Sequence, residues 1–393
     1  MQFSKRIDQF EEGIFSKLLE IKNKKLEQGE AIIDISVGSP NVPPAKHIID
    51  ALCTAAADEK NYIYAINDQS ALLTAVSTWY KNRYGVVLDP DFEICSLLGT
   101  QEGFSYLAMA IVDDGDLVLV PDPCYPVFAD GPRLAGARLY YMPQKKENGY
   151  VVQLKDIPED VAKKAKMMIV SYPNNPTTAI APDSFYTDLV AFAKKYGIIV
   201  LHDNAYSELV FDNKRCDSFL SFHGAREVGV EFNSLSKTYA LAGARIGFCV
   251  GNAEVISRLK KIKSNCAYGM FLPLQKAAIA AITGDQSCVK ATKLFYERRR
   301  NILCDGFRAI GWDIDRPEAT MFVWAAIPQH YRNSEQFAMD ILEKAGVMVT
   351  PGSAFGHSGE GYVRMALVQE EEVLLQAVRQ VKESGILKDA SHR

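Results

Sequence analysis

The stretch SLSKTYALAGARIGF, residues 234–248, sets Lys237 among Ser234, Ser236 and Arg245 and runs into a short apolar segment, IGFCVG, at 246–251. An amine attacks carbonyls once its charge is suppressed, so a lysine flanked by anion-binding groups is suited to covalent chemistry. Ser234 and Ser236 are short hydroxyl donors, and Arg245 offers a planar fork matched to phosphate oxygens. Serine–lysine pairs also occur on ordinary solvated loops, where most lysines lie. What surrounds the stretch therefore decides its meaning.

Outward from it, IGFCVG is one of a series of short apolar runs: LVLV from 117, ARLYYM from 137, MMIVSY from 167 and IIVLH from 198. Segments of helical texture separate these runs from about residue 48 onward. Nearly continuous apolar strands alternating with helices predict an α/β fold, with a mostly parallel sheet covered by helices on both faces. Upstream, Ile7, Phe10, Ile14, Leu18 and Ile21 recur at three- and four-residue spacing, which predicts one amphipathic helix with Gly29 as its C-cap. AIIDISV then predicts a strand ending at Gly38. After a long helical stretch ending near residue 310, MFVWAAI, VMVTPG and GYVRMAL alternate with helices, the texture of a smaller α+β unit. The expected division is a large domain over 48–285 and a small domain built from 1–47 and 286–393.

The 393 residues are 48% apolar and carry 44 basic against 48 acidic side chains, a net charge of −4. That balance argues for a small ligand and against nucleic-acid or membrane partners. The segment MQFSKRIDQFEEG lacks the apolar core of a secretory signal, and no run reaches membrane-spanning length, so a cytoplasmic location is expected. Eight cysteines without any CxxC pair read as buried reduced thiols rather than a disulfide framework or zinc site, and no metal is expected.

In an open α/β sheet, ligands collect beyond the carboxyl ends of strands, so the residues after each apolar run carry the chemistry. IIVLH is followed by Asp203 and Tyr206, MMIVSY by Asn175 and Pro176, and LVLV by Tyr125 in PDPCYPVF. Gly99, Thr100 and Gln101 precede a helical pattern whose free N–H groups suit a phosphate. Arg364 sits inside the strand YVRMAL, a costly place unless it meets a carboxylate from a ligand or from the protein. Each feature alone has an ordinary explanation: a helix cap for Asp203, a turn for Asn-Pro, packing for Tyr125. Together with Lys237 they fit one cofactor, pyridoxal phosphate, which needs an amine for its aldehyde, a basic pocket for its phosphate and a carboxylate for its ring nitrogen.

In this order the segments resemble the class I/II aminotransferases of pyridoxal-phosphate fold type I, over essentially the whole chain. The resemblance runs through Gly38, Tyr64, GTQEG, DPCYPVF, YPNNPT, HDNAY, SLSKTYALAGARIGF and GYVRMAL. It implies that Lys237 forms the internal aldimine and moves the substrate proton in a ping-pong amino transfer between an L-amino acid and a 2-oxo acid. Asp203 is implied as partner of the ring nitrogen, Asn175 and Tyr206 of the ring oxygen, and Tyr125 as the stacking aromatic. Thr100, Gln101, Ser234, Ser236 and Arg245 are implied as phosphate ligands. Arg364, assisted by Gly38 and Asn175, and with Tyr125 alongside, is implied at the substrate carboxylate. Tyr64 matches a tyrosine that reaches the phosphate of a neighbouring subunit, which implies a homodimer with shared active sites.

The chain departs from the family pattern at Thr178 and Ser70, where glycine is usual. The subgroup it looks closest to includes LL-diaminopimelate, aspartate, methionine and aromatic aminotransferases, but SNCAYGMF at 264–271 differs from the sequence associated with diaminopimelate enzymes, so the substrate stays open. A carbon–sulfur β-lyase would use the same lysine and aspartate. A cofactor-binding sensor domain of a transcription regulator would carry an extra DNA-binding domain ahead of the matching region.

Overall fold

The computed structural model describes residues 1, 3–10 and 14–388. Strand β1 (Ile33–Asp34) lies in the N-terminal segment. A seven-stranded sheet follows, made of β2 (Ile94–Leu97), β3 (Leu117–Asp122), β4 (Arg138–Pro143), β5 (Ala165–Ser171), β6 (Ile199–Asp203), β7 (Gly229–Ser234) and β8 (Gly247–Gly251). Its order is β2-β8-β7-β6-β5-β3-β4, and β8 is the one strand reversed in direction, antiparallel to both β2 and β7. Successive residues of one strand face different cores: Met168 and Val170 pack with Leu72, Phe185 and Ala277 on one side, while Met167 and Ile169 pack with Phe104, Phe128 and Leu259 on the other. Burial on both faces is why these strands read as unbroken apolar runs.

The smaller unit holds β9 (Phe322–Ala326), β10 (Val347–Met348), β11 (Thr350–Pro351) and β12 (Tyr362–Ala366). Strands β11, β12 and β9 form an antiparallel sheet, and β10 pairs in parallel with β1, tying the N-terminal segment to the C-terminal one. Their core gathers Ile35, Phe307, Trp312, Phe337 and Leu374, with Tyr206 and Phe211 entering from the segment that follows β6. Helix Ser287–Ala309 joins the units, placing Val289 in one core and Leu303 and Phe307 in the other.

Several local expectations differ from the structure. The first helix spans Ile14–Glu27 rather than starting at Ile7, because Ile7–Gln9 is a single tight turn that Phe10 leaves in extended conformation. The expected strand over AIIDISV pairs only at Ile33–Asp34. Asp34 Oδ1 accepts from the Ser36 N–H and hydroxyl (2.9 and 2.7 Å), which bends the chain. Strands β2 and β7 were not among the predicted runs. In β7 the polar residues Glu231 and Asn233 interrupt the apolar pattern, yet both are buried, and Glu231 bonds His202 Nδ1, Phe219 N–H, Ser218 and Tyr80. Cys53 and Cys266 are exposed and Cys288 is partly so; the other five thiols are buried, and all eight are unpaired. Among the described residues no helix is long and apolar enough to cross a membrane, and no cluster of His, Cys, Asp or Glu is arranged to hold a metal.

Candidate active site

Strand β6 ends in Asp203, and β7 ends in Ser234, which starts a helical turn, Leu235–Thr238, carrying Ser236 and Lys237. The loop after β5 brings Asn175 to the same carboxyl edge, and β12 reaches over it with Arg364. They enclose a cavity of about 300 Å³ lined by every predicted site residue except Tyr64. Tyr64 lies 79% exposed, its ring edge-on to Tyr268 at 5.4 Å, and does not face the cavity of its own chain.

Lys237 Nζ donates to the Gly38 carbonyl at 2.8 Å. Burial, then the charges of Arg364 and Arg245, bring its ammonium pKa down to about 8, so an appreciable neutral fraction exists near physiological pH. The N-terminal segment comes this close only because residue 38 has no side chain: a Cβ there would sit 2.4 Å from the Phe322 ring.

Asp203 is 8% exposed, and burial lifts its pKa to about 6 against the lowering influence of His202, the Ala205 N–H and Ser171. Its Oδ2 lies 3.5 Å from the Ser171 hydroxyl, while its Oδ1 is buried with no hydrogen-bond partner. An unsatisfied buried acceptor costs about 1–3 kcal/mol, so it marks a place built for a donor. Burial also raises the Tyr206 phenol far above its ordinary value, which keeps its hydroxyl a donor.

At the other end of the cavity, helix Thr100–Ile111 begins after Gly99, whose φ of +85° favours glycine. A Cβ on Gly99 would lie 2.1 Å from Arg245 Nη2, so this glycine lets the guanidinium reach the helix N-terminus. Arg245 itself adopts φ +56°, which turns its side chain back toward the cavity, and Nη1 donates to the Ala242 carbonyl at 3.1 Å. Ser234 Oγ caps the next turn by accepting from the Ser236 N–H at 3.1 Å. Helix N–H groups, two serines and a guanidinium thus converge as an anion cradle.

Arg364 is 1% exposed. It donates through Nη1 to Asn175 Oδ1 and through Nη2 to the Ser36 carbonyl, both at 2.9 Å, and its guanidinium lies 4.1 Å from the Phe322 ring centre and 4.6 Å from that of Phe355. Burial lowers its pKa to about 10, still cationic at neutral pH. Tyr125 lines the cavity and donates a long hydrogen bond, 3.4 Å, to Gln101 Oε1.

Sequence reasoning missed Ser36, Ser171, Phe322 and Phe355. Their segments read only as strand or loop, and the contacts that matter are a main-chain carbonyl, one hydroxyl and two ring faces. Of the two departures noted above, Thr178 has φ +66°, a conformation that costs a non-glycine residue about 1–2 kcal/mol. It is held there by its N–H bond to the Asn174 carbonyl at 3.0 Å. Ser70 opens helix Ser70–Tyr84 on the surface, where no glycine is needed.

Residues 30–380 match the sequence profile of the family described as aminotransferase class I and II. An LL-diaminopimelate aminotransferase of Moorella thermoacetica is 43% identical over 97% of this chain and 98% of its own. One from Dehalococcoides mccartyi is 42% identical over 100% of this chain and 99% of its own. The substrate-bound structure of BacF from Bacillus subtilis is similar with a TM-score of 0.96 and 34% identity, covering 99% of this chain and 100% of that one. Because the family match extends from before β1 into the last helix, and the relatives align nearly end to end, the chain is an enzyme belonging to the class I and II aminotransferases.

Proposed function

We propose that the protein transfers an amino group between an L-amino acid and a 2-oxo acid with pyridoxal phosphate held in the cavity around Lys237. The observation that carries this reading is the buried, partnerless Oδ1 of Asp203, which fits a protonated ring nitrogen, with Thr100, Ser234, Ser236 and Arg245 of the anion cradle lining the same cavity. When bound, pyridoxal phosphate supplies an aldehyde that takes the amino group and a ring that accepts the electron pair left as the α-proton departs.

Each residue then has a task. Thr100, Gln101, Ser234, Ser236 and Arg245 hold the phosphate, the first two through main-chain N–H groups. Asp203 would hold the protonated ring nitrogen with its carboxylate, a charge pair that favours the ionised form of the carboxyl. Asn175 and Tyr206 donate to the ring oxygen, and Tyr125 covers the ring face. Arg364, oriented by Asn175 and the Ser36 carbonyl, grips the substrate carboxylate beside the Gly38 main chain. Lys237 Nζ, neutral in part because its pKa is about 8, would take the substrate's α-proton and return a proton to the carbon on the far side of the amino nitrogen. The first product leaves before the second substrate binds, which is ping-pong kinetics.

In this proposal residues 48–285 form the cofactor-binding domain, and 1–47 with 286–393 form the small domain. The working unit is a cytoplasmic homodimer in which the exposed Tyr64 reaches the partner's cofactor phosphate. Titration of cofactor-free protein with pyridoxal phosphate should give a saturable visible band that Lys237→Ala lacks. Glutamate, aspartate, methionine, aromatic amino acids and LL-diaminopimelate should then be assayed as donors to 2-oxoglutarate. Parallel double-reciprocal plots with at least one donor are expected. Release of pyruvate and ammonia from cystathionine with no oxo-acid acceptor, and no amino transfer from any donor, would reject the proposal.

A further inference from the structure

The Arg364 guanidinium packs against two rings, Phe322 at 4.1 Å and Phe355 at 4.6 Å from their centres. Phe322 belongs to β9, and the ladder between β9 and β12 fixes it beside Arg364. Phe355 lies outside the strands, at the end of the tight turn Gly352–Phe355 in the connection from β11 to β12. That connection is anchored from the end of β3, in the large sheet.

Asp122, the last residue of β3, is buried and does not line the catalytic cavity. Its Oδ2 accepts from the Ser358 N–H at 3.0 Å and from the Ser358 hydroxyl at 2.8 Å, across 236 positions of sequence. A little further along, the Cys124 N–H donates to the Phe355 carbonyl at 2.7 Å. The two contacts clasp the connection on either side of Gly356. That glycine has φ +129°, and a Cβ on it would sit 2.0 Å from Asp122 Oδ1, so the carboxylate can approach only a residue without a side chain.

Stability does not account for this arrangement. Asp122 Oδ1 is buried without a hydrogen-bond partner among the described residues, and a buried acceptor left unmet destabilises the fold. Local rules of this kind are broken mainly where function requires it. What the clasp does achieve is placement: with Ser358 and the Phe355 main chain held, the Phe355 ring stays on the guanidinium, a contact favourable in itself and restrictive of how Arg364 can turn.

We propose that Asp122 is a positioning residue for amino transfer: by pinning Ser358 it seats Phe355 against Arg364, and so fixes from the large sheet the fork that takes the substrate carboxylate. The proposal rests on the transamination reading for the role of Arg364. It is tested on the holoenzyme with each amino donor that the wild type turns over. Asp122→Ala is expected to lower kcat/KM about tenfold or more, chiefly through KM, with the dissociation constant for pyridoxal phosphate within about twofold of the parent. Asp122→Asn keeps an acceptor for Ser358 and should recover most of that loss. Ser358→Ala, at a partly exposed position, removes only the hydroxyl contact and should show a smaller fall of the same kind, about threefold. Added to Arg364→Lys, Asp122→Ala should cost less than about twofold more, because a residue that acts through Arg364 then has little left to act on. If Asp122→Ala does not fold, Ser358→Ala alone and combined with Arg364→Lys puts the same question. A wild type that turns over no donor overturns the transamination reading and this proposal with it. With an active wild type, the proposal alone is overturned by unchanged kcat/KM in the single variants, by losses that multiply in the double variant, or by an equal loss of cofactor affinity.

Discussion

Lys237 Nζ and the carbonyl oxygen of Gly38, 199 positions apart in sequence, share a 2.8 Å hydrogen bond that ties the N-terminal segment to the carboxyl edge of the large sheet. The bond holds an amine that burial has made easier to deprotonate, and that has a consequence for stability. The folded-state pKa of about 8 lies below the ordinary 10.5, so between these values the folded protein binds fewer protons at Lys237 than the unfolded chain does. The resulting penalty is fully present below pH 8 and disappears as pH rises toward 10.5. Cofactor-free Lys237→Met is therefore expected to be more stable than the parent by roughly 2–3 kcal/mol at pH 7, with the gap closing above pH 10. Urea unfolding at both pH values measures this. The same variant should lose amino transfer by at least about a thousandfold.

Asp203 titrates in the opposite sense. Because burial raises its pKa to about 6, cofactor affinity should be flat above that pH and fall as pH drops through it, when the carboxyl becomes neutral. Asp203→Asn keeps the shape and removes the charge. It should abolish the inflection near pH 6 and slow turnover by about a hundredfold or more. Fluorescence titrations of cofactor binding across pH 5–8 check the first part, and steady-state rates the second. An inflection that persists in the variant assigns it to another group.

Arg364 offers a two-pronged donor whose geometry is set by Asn175 and the Ser36 carbonyl. Lysine keeps the charge but not the fork, so Arg364→Lys should lower kcat/KM for every amino donor by about 10- to 100-fold while leaving cofactor affinity unchanged. An equal fall in cofactor affinity would place Arg364 at the cofactor rather than at the substrate.

Gly99→Ala would drive a Cβ to 2.1 Å from Arg245 Nη2 and impose φ +85° on a residue with a side chain. Displacement of the guanidinium is expected to raise the dissociation constant for pyridoxal phosphate about tenfold or more, with about 1 kcal/mol lost in stability. Unaltered cofactor binding would show that Arg245 takes no part in holding the phosphate.

Tyr64 makes its prediction by being absent from its own chain's cavity. Sedimentation should give a dimer, and Tyr64→Phe should weaken cofactor binding several-fold in that dimer, the loss of one charge-assisted hydrogen bond. A monomeric enzyme of full activity would refute the shared site.

Much of the site was legible because its residues follow apolar runs. Asp203 at the end of β6 and Asn175 after β5 stand where parallel strands present their last residues, and the two-sided burial that makes those runs apolar is a local signal. The signal failed where burial was satisfied by polar partners. Glu231 in β7 looks like an interruption until Ser218, Tyr80 and the Phe219 N–H are seen around it. It failed again at Phe10, where apolar spacing continues but the backbone turns extended.

The α/β class, five of the seven large-sheet strands and the amine, carboxylate and guanidinium groups available for chemistry were set by the amino-acid sequence alone, since periodicity and residue type are local properties. Which of them meet was decided by tertiary structure. Arg364 finds Asn175 across 189 positions and Ser36 across 328, and Gly38 passes Phe322 closely enough to meet Lys237. Those contacts exist because β1 pairs with β10 and two cores close against each other, and the same burial shifts Lys237 and Asp203 from their ordinary pKa values. Desolvation depends on everything packed around a group, so no local pattern in the chain could state it.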